Sequence, residues 1–288
     1  MIKTKTATKI SQRRSSQIKK NNFFLETLFA GINDRLRFVI CTFFLTCIVF
    51  ALTLFCFDLK SLIIVFPVLL VSSYLIIYIA ILKNITGFEW FTLFVVPIIF
   101  TLVLYVFYIF NFQVRHITRI PFLIIYSIGI YALLLVSNIF NVGVEKNIQL
   151  YRAAFSINFL FQTLILYFFI TIILKFNFIF IINSFVILLL VFLMAIQLLW
   201  TVQLKDSISK TNFLFSVLIS IFASEIATAI CFLPIKSEVF ALVVSGSYYG
   251  FAGLFHHYAD QRLFKQTIQE FSIVFIFVLL FILLTMKW

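Results

Sequence analysis

The sequence predicts an all-α polytopic membrane protein, and three observations carry that prediction. Hydrophobic residues make up 64% of the chain, charged residues only 11%, and the mean hydropathy is +1.17. Soluble domains run to about half apolar and a quarter charged. The apolar residues gather into repeated runs of about 20, each enough to carry a helix across a hydrocarbon layer of roughly 30 Å. The short alternating segments of a transmembrane barrel are not what these runs look like.

Residues 1–22 are Lys, Arg, Ser, Thr, Gln and Asn with little to bury, and are expected to be disordered. Up to Arg37 the chain carries nine Lys or Arg against Glu26 and Asp34, more than half of a total net charge of +12. A secretory signal would bring its apolar core closer to the start and end it at a small-residue cleavage site. The tail is therefore read as a retained topogenic signal touching anionic lipid, in preference to a nucleic-acid-binding arm. From residue 23 to 37, Leu25, Leu28, Phe29, Ile32 and Leu36 form one stripe. That spacing fits an amphipathic helix lying in the membrane interface, with a cytoplasmic helix packed on the bundle as the alternative.

The transmembrane domain occupies residues 38–288, with nine spans at about Phe38–Phe57, Ser61–Leu82, Phe88–Phe110, Ile120–Phe140, Ala153–Leu174, Phe178–Trp200, Phe213–Leu233, Glu238–His257 and Phe271–Met286. Only Lys175, Phe176 and Asn177 divide the fifth from the sixth. A single helix through both would be far longer than the bilayer is thick, so a tight hairpin is expected. With the basic tail inside, sixteen Lys or Arg fall on the cytoplasmic side and six outside, as the positive-inside rule requires. This puts the N-terminus in the cytoplasm and Trp288 outside. Trp90, Trp200 and Trp288 all fall at span ends, where interfacial rings are enriched. Pro67 and Pro97 lie within spans and should kink them, whereas Pro121 is placed at a helix start.

No metal or cofactor is expected. Cys41, Cys47, Cys56 and Cys231 sit in apolar segments without paired spacings, and no Gly-rich phosphate loop occurs.

The polar residues within the spans are the candidates for function. Glu225 is the foremost, because an ionisable group at bilayer depth costs about 2.5–3.5 kcal/mol on insertion scales. It is expected to be buried, uncharged and hydrogen-bonded to the region of Ser245, Tyr248 and Tyr249. Asn158 and Gln162 lie one turn apart on the fifth span and face the same way, with Arg152 and Ser156 on the same polar side, while Gln197 is placed near a span end. Gly246 and Gly250 form a Gly-x-x-x-Gly pair, and Ser220, Ser224 and Thr228 recur every fourth residue. These small residues are expected to pack the seventh span on the eighth. The last span is expected to be peripheral. His256, His257, Asp260 and Arg262 cluster where the eighth span reaches the cytoplasm.

Ser245-Gly246 followed by Gly250 resembles the serine helix of rhomboid intramembrane proteases, but Val243 replaces that motif's first glycine and the ninth span contains no histidine. His256 and His257 lie about 16–18 Å from Ser245 along the same helix, beyond hydrogen-bond reach. A protease of that kind is set aside. Glu225, Phe232-Leu233-Pro234, Tyr248-Tyr249, Gly253-Leu254, the histidines before Arg262-Leu263, Glu270-Phe271 and Lys287-Trp288 resemble the C-terminal pattern of uncharacterised multi-pass membrane proteins from small-genome bacteria. That resemblance covers residues 212–288. It implies a bacterial plasma membrane and transfers no activity.

The sequence thus leads to a non-enzymatic membrane component, either a small-solute transporter or an envelope-assembly partner. The alternative is a lipid-processing enzyme working at the cytoplasmic interface through the His256 cluster. Its partners are the bilayer, anionic lipid at the tail and other membrane proteins.

Overall fold

A computed structural model describes residues 34–55, 61–81, 89–112, 116–142, 148–202, 208–261 and 264–285. These form α1 (Asp34–Phe55), α2 (Leu62–Ile81), α3 (Glu89–Phe112), α4 (His116–Val142), α5 (Ile148–Lys175), α6 (Phe180–Trp200), α7 (Lys210–Ile230), α8 (Ser237–Ala259) and α9 (Lys265–Thr285). There is no strand among the described residues, and each of the nine helices is long and apolar enough to cross a membrane. The all-α polytopic bundle is therefore the observed fold. The basic tail and residues 23–33 of the expected amphipathic helix lie outside the described residues. Residues 34–37 belong to the first turn of α1, continuous with the first span.

The separation at Lys175 is a turn, closed by bonds from the Phe176 and Asn177 amides to the Ile173 and Leu174 carbonyls. Asn177 takes a positive φ of 50° there, a conformation that asparagine tolerates better than most side chains. α4 begins four residues before the predicted Ile120, which moves Pro121 off the helix start and into its second turn.

Successive helices run antiparallel, and cross-helix bonds show which ends meet. Arg37, at the start of α1, donates from Nε to the Ala80 carbonyl at the end of α2 (2.9 Å). Arg119, at the start of α4, donates to the Thr53 carbonyl at the end of α1 (3.2 Å). Lys175 donates to the Phe110 carbonyl at the end of α3 (3.4 Å) and to Asn111 Oδ1 (2.6 Å). Asn212 and Tyr151 donate to the Leu199 and Thr201 carbonyls at the end of α6. The last four carbonyls of a helix have no partner within it and carry partial negative charge. Cations and amides from neighbouring helices supply the missing donors. A related repair occurs inside α3, where Pro97 has no N–H to offer the Leu93 carbonyl and Ser137 of α4 donates to it instead (3.1 Å).

The small residues do not pack as the sequence suggested. α7 lies most closely on α6, where Ser224 donates to the Ser184 carbonyl (3.1 Å) and Thr228 bonds the Ser184 hydroxyl (2.8 Å). The glycines of α8 face α9: a Cβ at Gly246, Gly250 or Gly253 would stand 2.9, 2.6 or 2.2 Å from Val278, Phe275 or Phe271. Two helices with side chains on both faces could not come so close. α9 otherwise exposes Ile273, Ile276, Phe277, Leu280 and Leu284, as a peripheral helix should. Trp90 stacks on Tyr78 and Phe94, but Trp200 is buried within the bundle and is no interfacial anchor.

Candidate functional site

Three polar features were singled out in the sequence, and the folded chain treats each differently. The amides of α5 are drawn into the centre of the bundle, where Asn158 is 1% exposed and Gln162 0%. Asn158 Nδ2 donates to Gln197 Oε1 of α6 (2.9 Å), and Gln162 Nε2 donates to the same oxygen (2.5 Å) and to the Met194 carbonyl (3.3 Å). Tyr248 of α8 donates its hydroxyl hydrogen to Gln162 Oε1 (2.7 Å). Four side chains from three helices thus complete one another's hydrogen bonds, as groups removed from water require. Gln197, placed near a span end by the sequence, belongs to this buried network.

Glu225 is not part of it. The carboxylate is exposed on the outer face of α7, and no hydrogen bond or ion pair links it to any described residue. The expectation of a buried carboxyl bonded to Ser245, Tyr248 or Tyr249 is overturned. Helical geometry explains why: Ser224 points at α6, and the next residue is turned about 100° away. Ser245 donates to the Leu242 carbonyl of its own helix (3.2 Å), and Tyr249 stacks on Phe159 with ring centres 4.6 Å apart. Gly246 and Gly250 serve the contact with α9.

The third feature is a cleft of about 400 Å³ between the start of α5, the end of α8 and the start of α9. α5 contributes Tyr151, Arg152, Phe155 and Ser156, while α8 contributes His256, His257 and the following Asp260. Phe264, just before α9, and Thr267 in its first turn close the cleft. α8 has no glycine beyond Gly253, so its last turn is free to spread bulky side chains around the helix end. His256 is only 4% exposed and lies against the Phe155 ring with centroids 3.9 Å apart. Neither of its ring nitrogens has a hydrogen-bond partner among the described residues. His257 stands at 90° to it, 5.8 Å away, and leans on Phe271. Arg152 is exposed at the rim, and Ser156 donates to the Arg152 carbonyl (3.0 Å).

The structure therefore brings His256, His257 and Asp260 together; Arg262 lies outside the described residues. The sequence reading had assigned Arg152 and Ser156 to the side of Asn158 and missed Tyr151, Phe155, Phe264 and Thr267 as walls. Only the position of Arg152 at a span start could have signalled its place. No group of three or more potential metal ligands occurs among the described residues. The apolar helices mark a multi-pass membrane protein, and comparison with family models, with curated proteins and with solved structures finds no match.

Proposed function

We propose that this protein binds the anionic head of an amphiphilic molecule, such as a phospholipid, in the cleft around His256. The observation that carries this reading is a nearly fully buried imidazole whose two nitrogens find no partner among the described residues, set in a cleft with a cation at its rim. Buried polar atoms are rarely left without hydrogen bonds, so a polar group from outside the chain is their natural partner. A phosphate would accept from the imidazole, from Arg152 and from the Thr267 hydroxyl. Phe155, Phe264 and Tyr151 suit the adjoining apolar part. Tail charge and the positive-inside rule support a cytoplasmic position for this end of the bundle, with the C-terminus outside.

Solute transport is less well supported, because the amides that could line a path are buried and bonded to one another and Glu225 faces away from the bundle. Catalysis is also the weaker reading. A general base needs a group that orients it, and no hydrogen bond joins the His256 ring nitrogens to Ser156 or Asp260.

The test is binding of anionic and zwitterionic lipid to the purified full chain, read by native mass spectrometry. Arg152→Gln and His256→Phe should each weaken retention of anionic lipid by about 10- to 100-fold, the worth of one charge-assisted hydrogen bond. Phenylalanine preserves the stack on Phe155 and removes only the nitrogens. Unchanged retention by both folded variants would refute the proposal.

A further inference from the structure

The outward side of α7 carries exposed Leu214, Ile221, Glu225 and Ala229, with half-buried Leu218 on the same line and exposed Phe232 in the turn just past the helix end, spaced by three and four residues. Five of the six are apolar, and the sixth is the carboxylate that no described residue satisfies. Its depth follows from the helix. Glu225 lies fifteen residues after Lys210, about 22 Å along the axis, so it remains inside a hydrocarbon layer of roughly 30 Å. Side chains lean toward a helix's N-terminus, which directs this carboxyl deeper and away from the nearer surface. A carboxyl facing lipid at this level is costly and is rarely left so.

We propose that two copies of this chain associate in the membrane through this face of α7, with the Glu225 carboxyls bonded to each other across a two-fold axis. A second copy is the occupant the chemistry fits. An uncharged carboxyl both donates and accepts a hydrogen, so two of them are complementary, and the symmetry holds them at equal depth. In a parallel two-fold seam the other ionisable group of α7, Lys210, stands about 22 Å from Glu225, so carboxyl meets carboxyl. Spacing by three and four is that of a helix–helix seam, and Ala229 allows the backbones to approach one turn from the acid.

The experiment is disulfide cross-linking of the full chain in its native membrane, with the four native cysteines replaced by alanine. Ile221→Cys and Ala229→Cys should give covalent dimers, whereas Ile273→Cys on the exposed face of α9 should not. In vesicles, Glu225→Ala should weaken association by about five- to tenfold, and Glu225→Gln, which still donates and accepts, should retain it. Dimers that form equally well in Glu225→Ala, no dimer from either α7 cysteine, or cross-linking of those cysteines to a different membrane protein would each overturn the proposal.

Discussion

Gln197 shows how much one side chain can decide. Its Oε1 accepts from both Asn158 and Gln162, so Gln197→Leu would leave two buried amide donors without that acceptor. Such a loss should destabilise the bundle by about 1–3 kcal/mol, and a reversible unfolding assay in mixed micelles can measure it. Tyr248→Phe removes only the donor to Gln162 and should cost less, about 1 kcal/mol. Asn158, Gln162 and Tyr248 were legible as unusual residues because they interrupt apolar spans. Their meeting through Gln197 was not, since depth counted along one span says nothing about which other helix stands opposite. Glu225 failed for a related reason. Ala223, Ser224, Ala227 and Thr228 around it are small, but a rotation of 100° per residue separates the face of Ser224 from its own.

At the level of helices, boundaries were read well and partners poorly. Hydropathy marks where a helix enters and leaves a membrane, and the observed ends fall within six residues of the predicted ones. Small-residue spacing shows that some helix approaches closely, without saying which. The glycines of α8 accordingly receive Phe271, Phe275 and Val278 of α9, and Ser224 and Thr228 of α7 bond to α6. Gly253→Ala should therefore push α9 away, because the new Cβ would stand 2.2 Å from the Phe271 ring. A cost of about 1–3 kcal/mol is expected, with greater protease sensitivity around residue 264 as its signature. Gly129→Ala is the comparison. Its added Cβ would meet Phe100 at 2.4 Å, and the strain should appear between α3 and α4, leaving α9 docked.

The whole molecule joins a hydrogen-bonded centre to an end where a buried imidazole has neither nitrogen paired among the described residues. Polar groups at mid-depth bond to one another, carbonyls at helix ends are met by Arg37, Arg119, Lys175 and Asn212, and the buried imidazole of His256 stands apart from both arrangements. The sequence made the membrane class plain through composition alone. It also placed His256, His257 and Asp260 at one helix end. It could not show that Arg152, Phe155 and Thr267 from two other helices would enclose them, because nothing in the spacing of α8 reports on α5 or α9. The most direct measurement is photolabelling of the full chain with an anionic phospholipid that carries its reactive group at the head. Adducts should concentrate at residues 151–156 and 256–267 and should fall sharply in His256→Phe. Labelling spread evenly over both ends of the bundle, or unchanged in that variant, would contradict a headgroup site in the cleft.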